Sequence, residues 1–129
     1  MTKELVICII IVALIFVGNI VTQNYTNDSV YVASESLNKL RDELIKENVD
    51  LEISKQKINE IHDEWFKRHE KLAYYIEHDE LEKVETDLSA VRGYIEVEEF
   101  KEAVVELDRT VYVLEHIKHK NIFNLENIF

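Results

Sequence analysis

Between Glu4 and Asp28 the chain carries no charged residue, and these 23 positions read LVICIIIVALIFVGNIVTQNYTN. As a helix rising about 1.5 Å per residue, the stretch covers roughly 35 Å, enough to cross a hydrocarbon core of roughly 30 Å. The other fates of such a run fit less well. A helix inside a domain as small as the remaining residues could build would not be apolar all round. A cleaved secretion signal needs a small-x-small site, yet Gly18 is preceded two positions earlier by Phe16, and Ala33 by Tyr31. A lipoprotein signal fails as well, because Cys8 lies near the start of the run and follows Ile7. The run is therefore read as an uncleaved anchor, and the chain divides into residues 1–27, the membrane anchor, and residues 28–129, an acidic domain.

Charge placement gives the topology. Lys3 and the amino terminus are positive ahead of the span, while the downstream flank has no Lys or Arg before Lys39. This asymmetry predicts an amino end in the cytoplasm and a domain outside, in the cell membrane with a single pass. Asn19, Gln23, Asn24 and Tyr25 supply a polar, aromatic exit at the far interface. Lys3 and Glu4 cancel, so the formal net charge of −11 belongs to the domain. Such a surface repels nucleic acid and anionic headgroups and serves first as a solvated coat.

With no Pro and two Gly in 129 residues, a sheet would lack turn residues, and long helices are favoured. Apolar side chains recur at steps of three and four. Val30, Ala33, Leu37, Leu40 and Leu44 form the first stripe, and Asn48-Val49-Asp50 offers a capping break. Ile58, Ile61, Trp65, Leu72 and Ile76 line a second helix from about residue 51 to residue 76. His78-Asp79 can cap a third, carrying Leu81, Val84, Leu88, Val91 and Ile95. After a turn near residues 96–99, a fourth carries Phe100, Ala103, Val104, Leu107, Val111, Leu114 and Ile117. Short connections force antiparallel neighbours. The expected fold is all-α: an N-terminal transmembrane helix, an antiparallel four-helix bundle of two helical hairpins, and a C-terminal apolar tail. Nothing breaks the chain between the span and the first stripe, so one helix can run through both. The stripes would equally serve an intermolecular coiled coil, which keeps a homo-oligomer as an alternative.

The two hairpins resemble each other. Leu37, Leu40, Arg41 and Leu44 match Leu88, Val91, Arg92 and Ile95, and Leu51, Ser54, Ile58 and Trp65 match Phe100, Ala103, Leu107 and Leu114. A repeat of about fifty residues is expected of a duplicated hairpin, although any two amphipathic hairpins share such a pattern.

The chemistry-bearing residues are few. His62 and His69 lie one heptad apart, and His116 and His119 are three apart. His62, His69 and His116 are thus the candidate metal ligands. The Glu-x-x-His signature of carboxylate-bridged bundles is absent, and satisfied or exposed imidazoles fit these spacings better. The chain has no phosphate loop, no nucleophile elbow and no Cys near a His. The expectation is therefore no catalytic residue, no cofactor and no enzyme. A small-ligand or metal-sensing bundle is the alternative to an interaction module. The tail KNIFNLENIF concentrates Ile122, Phe123, Leu125, Ile128 and Phe129. These residues either fold back to close the core or bind a protein partner.

Taken together, the amino-terminal span, Trp65, the Ile76-Glu77-His78-Asp79-Glu80 turn, Leu114-Glu115-His116-Ile117 and the closing Asn127-Ile128-Phe129 resemble a family of short, singly membrane-anchored helical proteins of unknown function from spore-forming Gram-positive bacteria. The resemblance implies a membrane setting and assigns no activity. The partners expected are membrane lipid along residues 5–27 and a protein of unknown identity, with no nucleic acid.

Overall fold

The computed structural model describes residues 2–128, with side chains as far as Asn121. Its four helices are α1 (Thr2–Leu44), α2 (Leu51–Leu72), α3 (His78–Glu96) and α4 (Phe100–Ile128), and no strand occurs among the described residues. Each helix packs on the one before and the one after it, and α1 closes the ring against α4, while the backbones of the diagonal pairs do not come close. This is an up-down-up-down bundle, dictated by connections too short to cross the bundle.

The core follows the stripes. All of Val30, Ala33, Leu37, Leu40 and Leu44 on α1, Ile58, Ile61, Trp65 and Leu72 on α2, and Leu81, Val84, Leu88, Val91 and Ile95 on α3 are buried. On α4, Ala103, Leu107, Leu114 and Ile117 are buried, whereas Phe100, Val104 and Val111 are partly so. Fully burying each such aliphatic side chain contributes about 1.5–3 kcal/mol, which makes these layers the main source of stability. Trp65 fits because α1 faces it with Ser29, Ala33 and Ser36, side chains small enough to admit an indole. Thr26 and Thr110 are buried polar residues on the same faces, and each hydroxyl donates to its own helix, to Thr22 O and Glu106 O, both at 2.8 Å. That bond removes the cost of burying them.

A single unbroken helix, α1, carries both the apolar run and the first wall of the bundle. Residues 2–18 are exposed throughout, and burial starts at Thr26. The helix is long and apolar enough to cross a membrane, and none of its most apolar window is buried in the bundle.

Two boundaries differ from the sequence reading. The second helix ends at Leu72 rather than near Ile76, because the chain turns there to bring Tyr75 back onto α1. Glu77, not His78-Asp79, occupies the N-cap of α3, and it makes no side-chain capping bond. The break before α2 falls where expected, with Asp50 accepting from Ile53 N–H at 3.1 Å.

Two side-chain contacts between the hairpins fall at positions that the internal match makes equivalent. Arg41 on α1 bonds Asp108 on α4 at 2.9 Å, and Arg92 on α3 reaches Asn59 on α2 at 3.5 Å. Arg41 corresponds to Arg92 in the internal match, and Asn59 to Asp108, so a contact between hairpins recurs at equivalent positions.

Candidate functional site

The antiparallel topology gives the bundle two ends of different character. At one end lie the apolar half of α1, the α2–α3 turn and the late turns of α4. At the other lie the α1–α2 and α3–α4 turns.

The first end is closed by mutual satisfaction. Tyr75 Oη lies 2.8 Å from Thr26 Oγ1 and 3.1 Å from Thr22 O, so it can donate to either while Thr26 donates to Thr22 O, which hooks the α2–α3 turn onto α1. Burial raises the Tyr75 phenol above its ordinary value. Arg68 donates to Asp28 at 2.9 Å, to Glu64 at 3.0 Å and to Ser29 Oγ at 3.1 Å. Burial works against the charge of Arg68, but those carboxylates outweigh it and raise its pKa. The guanidinium lies 5.8 Å from the centroid of the Tyr25 ring and the Lys71 ammonium 5.7 Å from it, in cation–π range. Lys120 on α4 spans Glu80 at 2.9 Å and Glu77 at 3.3 Å, and these two carboxylates raise its pKa.

The second end is different. Glu43, on the last turn of α1, is buried, accepts from Lys46 Nζ at 2.6 Å and from the Asp50 N–H at 3.3 Å, and its pKa is lowered, first by the Lys46 bond. Asp50 in turn caps α2, so one carboxylate sets the turn and the next helix. Between this turn and the α3–α4 turn runs a groove of about 740 Å³. Leu44, Val49, Phe100 and Val104 are among its apolar lining, and Glu47, Glu98, Glu99 and Glu102 stand on it together with Lys46 and Lys101. Glu98 has φ 59°, a left-handed conformation that costs a residue with a Cβ and favours Gly. It sits at the αL position of a Schellman turn, with Glu99 N–H bonding Tyr94 O at 2.9 Å and Glu98 N–H bonding Ile95 O at 3.0 Å. Neither turn stood out in the sequence as a site. The signal available was the crowding of carboxylates at two breaks that the antiparallel topology brings to one end.

The candidate histidines are dispersed. His69 Nδ1 lies 2.9 Å from Glu85 Oε1 without the alignment of a hydrogen bond, and Phe66 stacks on its ring. His116 lies on α4, with Nε2 4.0 Å from Glu80, beside a groove of about 630 Å³ between α3 and α4. His62 is half-buried on α2. Among the described residues, no three of His, Cys, Asp and Glu gather as a metal ion would require. The side chains of Ile122, Phe123, Leu125, Ile128 and Phe129, the predicted partner-binding tail, lie outside the described residues.

A family model described as a domain of unknown function (DUF4363) matches residues 20–128. The chain belongs to that family. The match begins within the last turns of the apolar run and takes in all of the bundle, so the hooked base and the acidic groove both lie inside the family's domain. No curated protein and no solved structure matches the chain.

Proposed function

We propose that this member of the family is a membrane-tethered interaction module. Residues 5–27 lie in the cell membrane, the amino terminus is cytoplasmic, and the bundle stands outside and binds a partner protein rather than performing catalysis. The observation that supports this reading is the continuity of α1. Its first half is bare and apolar, while its second half is a wall of the core, so whatever holds the first half also fixes the second. The acidic net charge argues against nucleic acid as the partner, and the resemblance to singly anchored proteins of spore-forming Gram-positive bacteria suits a cell-surface setting.

Two measurements test it. Cys8 is the sole cysteine, so Asn48→Cys in a Cys8→Ser background gives the bundle one thiol. A membrane-impermeant maleimide should label it in intact cells; labelling only after lysis overturns the topology. Cross-linking in native membranes should then capture a specific companion of the full-length protein, and capture of none overturns the interaction role.

A further inference from the structure

About half of the bundle's acidic excess lies at the end opposite the apolar half of α1. Residues 41–52 and 96–102, which form that end, hold nine carboxylates against three cations. Residues 22–30, 67–80 and 118–121, at the base, hold five carboxylates against five cations. A solvated face needs no such concentration, and no apolar floor beneath it. Here Leu44, Val49, Phe100 and Val104 lie under the carboxylates, and Ile45 and Val97 on either turn stay 58% and 65% exposed. Lys46 and Lys101 also line the groove, so its rim carries four carboxylates against two cations, and large exposed aliphatics within a predominantly acidic rim mark a surface that another chain covers. The four rim carboxylates, Glu47, Glu98, Glu99 and Glu102, have no ion-pair partner among the described residues. Of the two cations that line the groove, Lys46 is held 2.6 Å from Glu43, and Lys101 makes no ion pair among the described residues.

We propose that this groove binds a cationic amphipathic segment of a partner protein, whose apolar side chains enter between the two turns while its Lys or Arg residues meet the four rim carboxylates. The proposal rests on the interaction role above and names its surface and the chemistry of its partner. Helix-in-groove recognition needs an apolar trough for anchoring and charges around it for register and discrimination, and both are present. A second copy of this chain is a poor occupant, because its cations cluster at the base, which the apolar half of α1 would hold against the membrane in the tethered reading above. With α1 continuous, the groove stands about 33 Å above the base along the helix, at the rise of about 1.5 Å per residue from Thr22 to Leu44.

The test uses the full chain in nanodiscs of zwitterionic lipid and a fluorescein-labelled 14-residue Leu/Lys peptide with all its Leu on one helical face. Fluorescence anisotropy should show saturable one-to-one binding. Glu99→Lys with Glu102→Lys should weaken it at least tenfold. Glu70→Lys with Glu82→Lys, which changes net charge equally away from the groove, should change it less than twofold. Ile45→Ser with Val97→Ser, both exposed and tolerable to the fold, should also weaken it, and a scrambled peptide of the same composition should bind at least tenfold more weakly. The proposal is overturned if both charge reversals weaken binding alike, if the scrambled peptide binds equally well, or if the groove variants turn a dimer into a monomer. None of these outcomes bears on the maleimide labelling or the cross-linking, so this proposal can fail while the tethered interaction role stands.

Discussion

Glu98 offers a direct measure of how much strain the α3–α4 turn carries. Its φ of 59° places a Cβ-bearing residue where the left-handed conformation costs about 1–2 kcal/mol. Glu98→Gly removes that cost. It gives back about 0.5–1 kcal/mol through the greater freedom of glycine in the unfolded chain. It also removes a carboxylate from the C-terminal end of the α3 dipole, worth a few tenths of a kcal/mol at an exposed site. The balance is a gain of about 1 kcal/mol, or roughly 4–8 °C in Tm for a bundle of this size. Glu98→Ala separates the contributions, because it removes the charge and keeps the strain, and it should move stability by only a few tenths. Thermal and urea unfolding of the full chain in detergent, followed by Trp65 fluorescence and far-UV circular dichroism, reads both variants. Equal stability of the Gly and Ala variants would refute the strain argument. If the rim carboxylate serves binding, Glu98→Gly should gain stability while losing affinity for the cationic peptide, the trade expected when strain is kept for function.

Two further perturbations probe the ends separately. Tyr75→Phe removes the hydroxyl that joins Thr26 and Thr22 O and should cost about 1 kcal/mol at neutral pH by urea unfolding. Because the folded Tyr75 pKa is raised above 10.0, the stabilisation is complete below that pH and is lost as pH climbs through the folded value. The wild type should therefore lose stability more steeply than Tyr75→Phe above pH 10, and parallel curves would contradict the buried phenol. Glu43 behaves in the opposite sense. Its folded pKa lies below 4.5, so its contribution is present above that pH and disappears as pH falls through the folded value. Glu43→Gln should be less stable than wild type at pH 7 and approach it below about pH 4 in pH-dependent melts.

The buried stripes were legible because a helix repeats its inward face every three or four residues, and the assigned apolar positions on α1, α2 and α3 all proved buried. The break at Asp50 was legible because capping is local: the side chain reaches a backbone N–H three residues on. What escaped depended on partners distant in sequence. Nothing near Tyr75 announces that its hydroxyl will meet Thr26, 49 positions away, and that contact is where α2 stops short of Ile76. A polar residue such as Thr110 does not show in an apolar stripe, although its hydroxyl is satisfied inside its own helix and it is fully buried in the core. The acidic groove is assembled from two turns that are separate in sequence and become one surface only when the hairpins stand side by side.

The two ends of the bundle obey different rules, and the contrast itself argues for function at one of them. At the base, the groups that join the helices are paired, although Tyr74 on the same turn stays exposed: the Tyr75 hydroxyl has Thr26 and Thr22, Arg68 has Asp28 and Glu64, and Lys120 has Glu77 and Glu80. Such an end is built to hold the α2–α3 turn against the helix that leaves it. At the far end, a left-handed Glu, unpaired carboxylates and exposed Ile45 and Val97 gather within two short turns. Stability alone would select Gly at position 98 and polar residues at 45 and 97. Single exposed apolar side chains such as Tyr31, Phe66, Tyr74 and Tyr112 occur elsewhere on the bundle, but only at the far end do they coincide with a left-handed Glu and a carboxylate-rich groove, a combination of exceptions expected where it serves something outside the chain. The base makes the exceptions useful: by locking the bundle to the last turns of the apolar run, it fixes the height and direction in which that far end is presented.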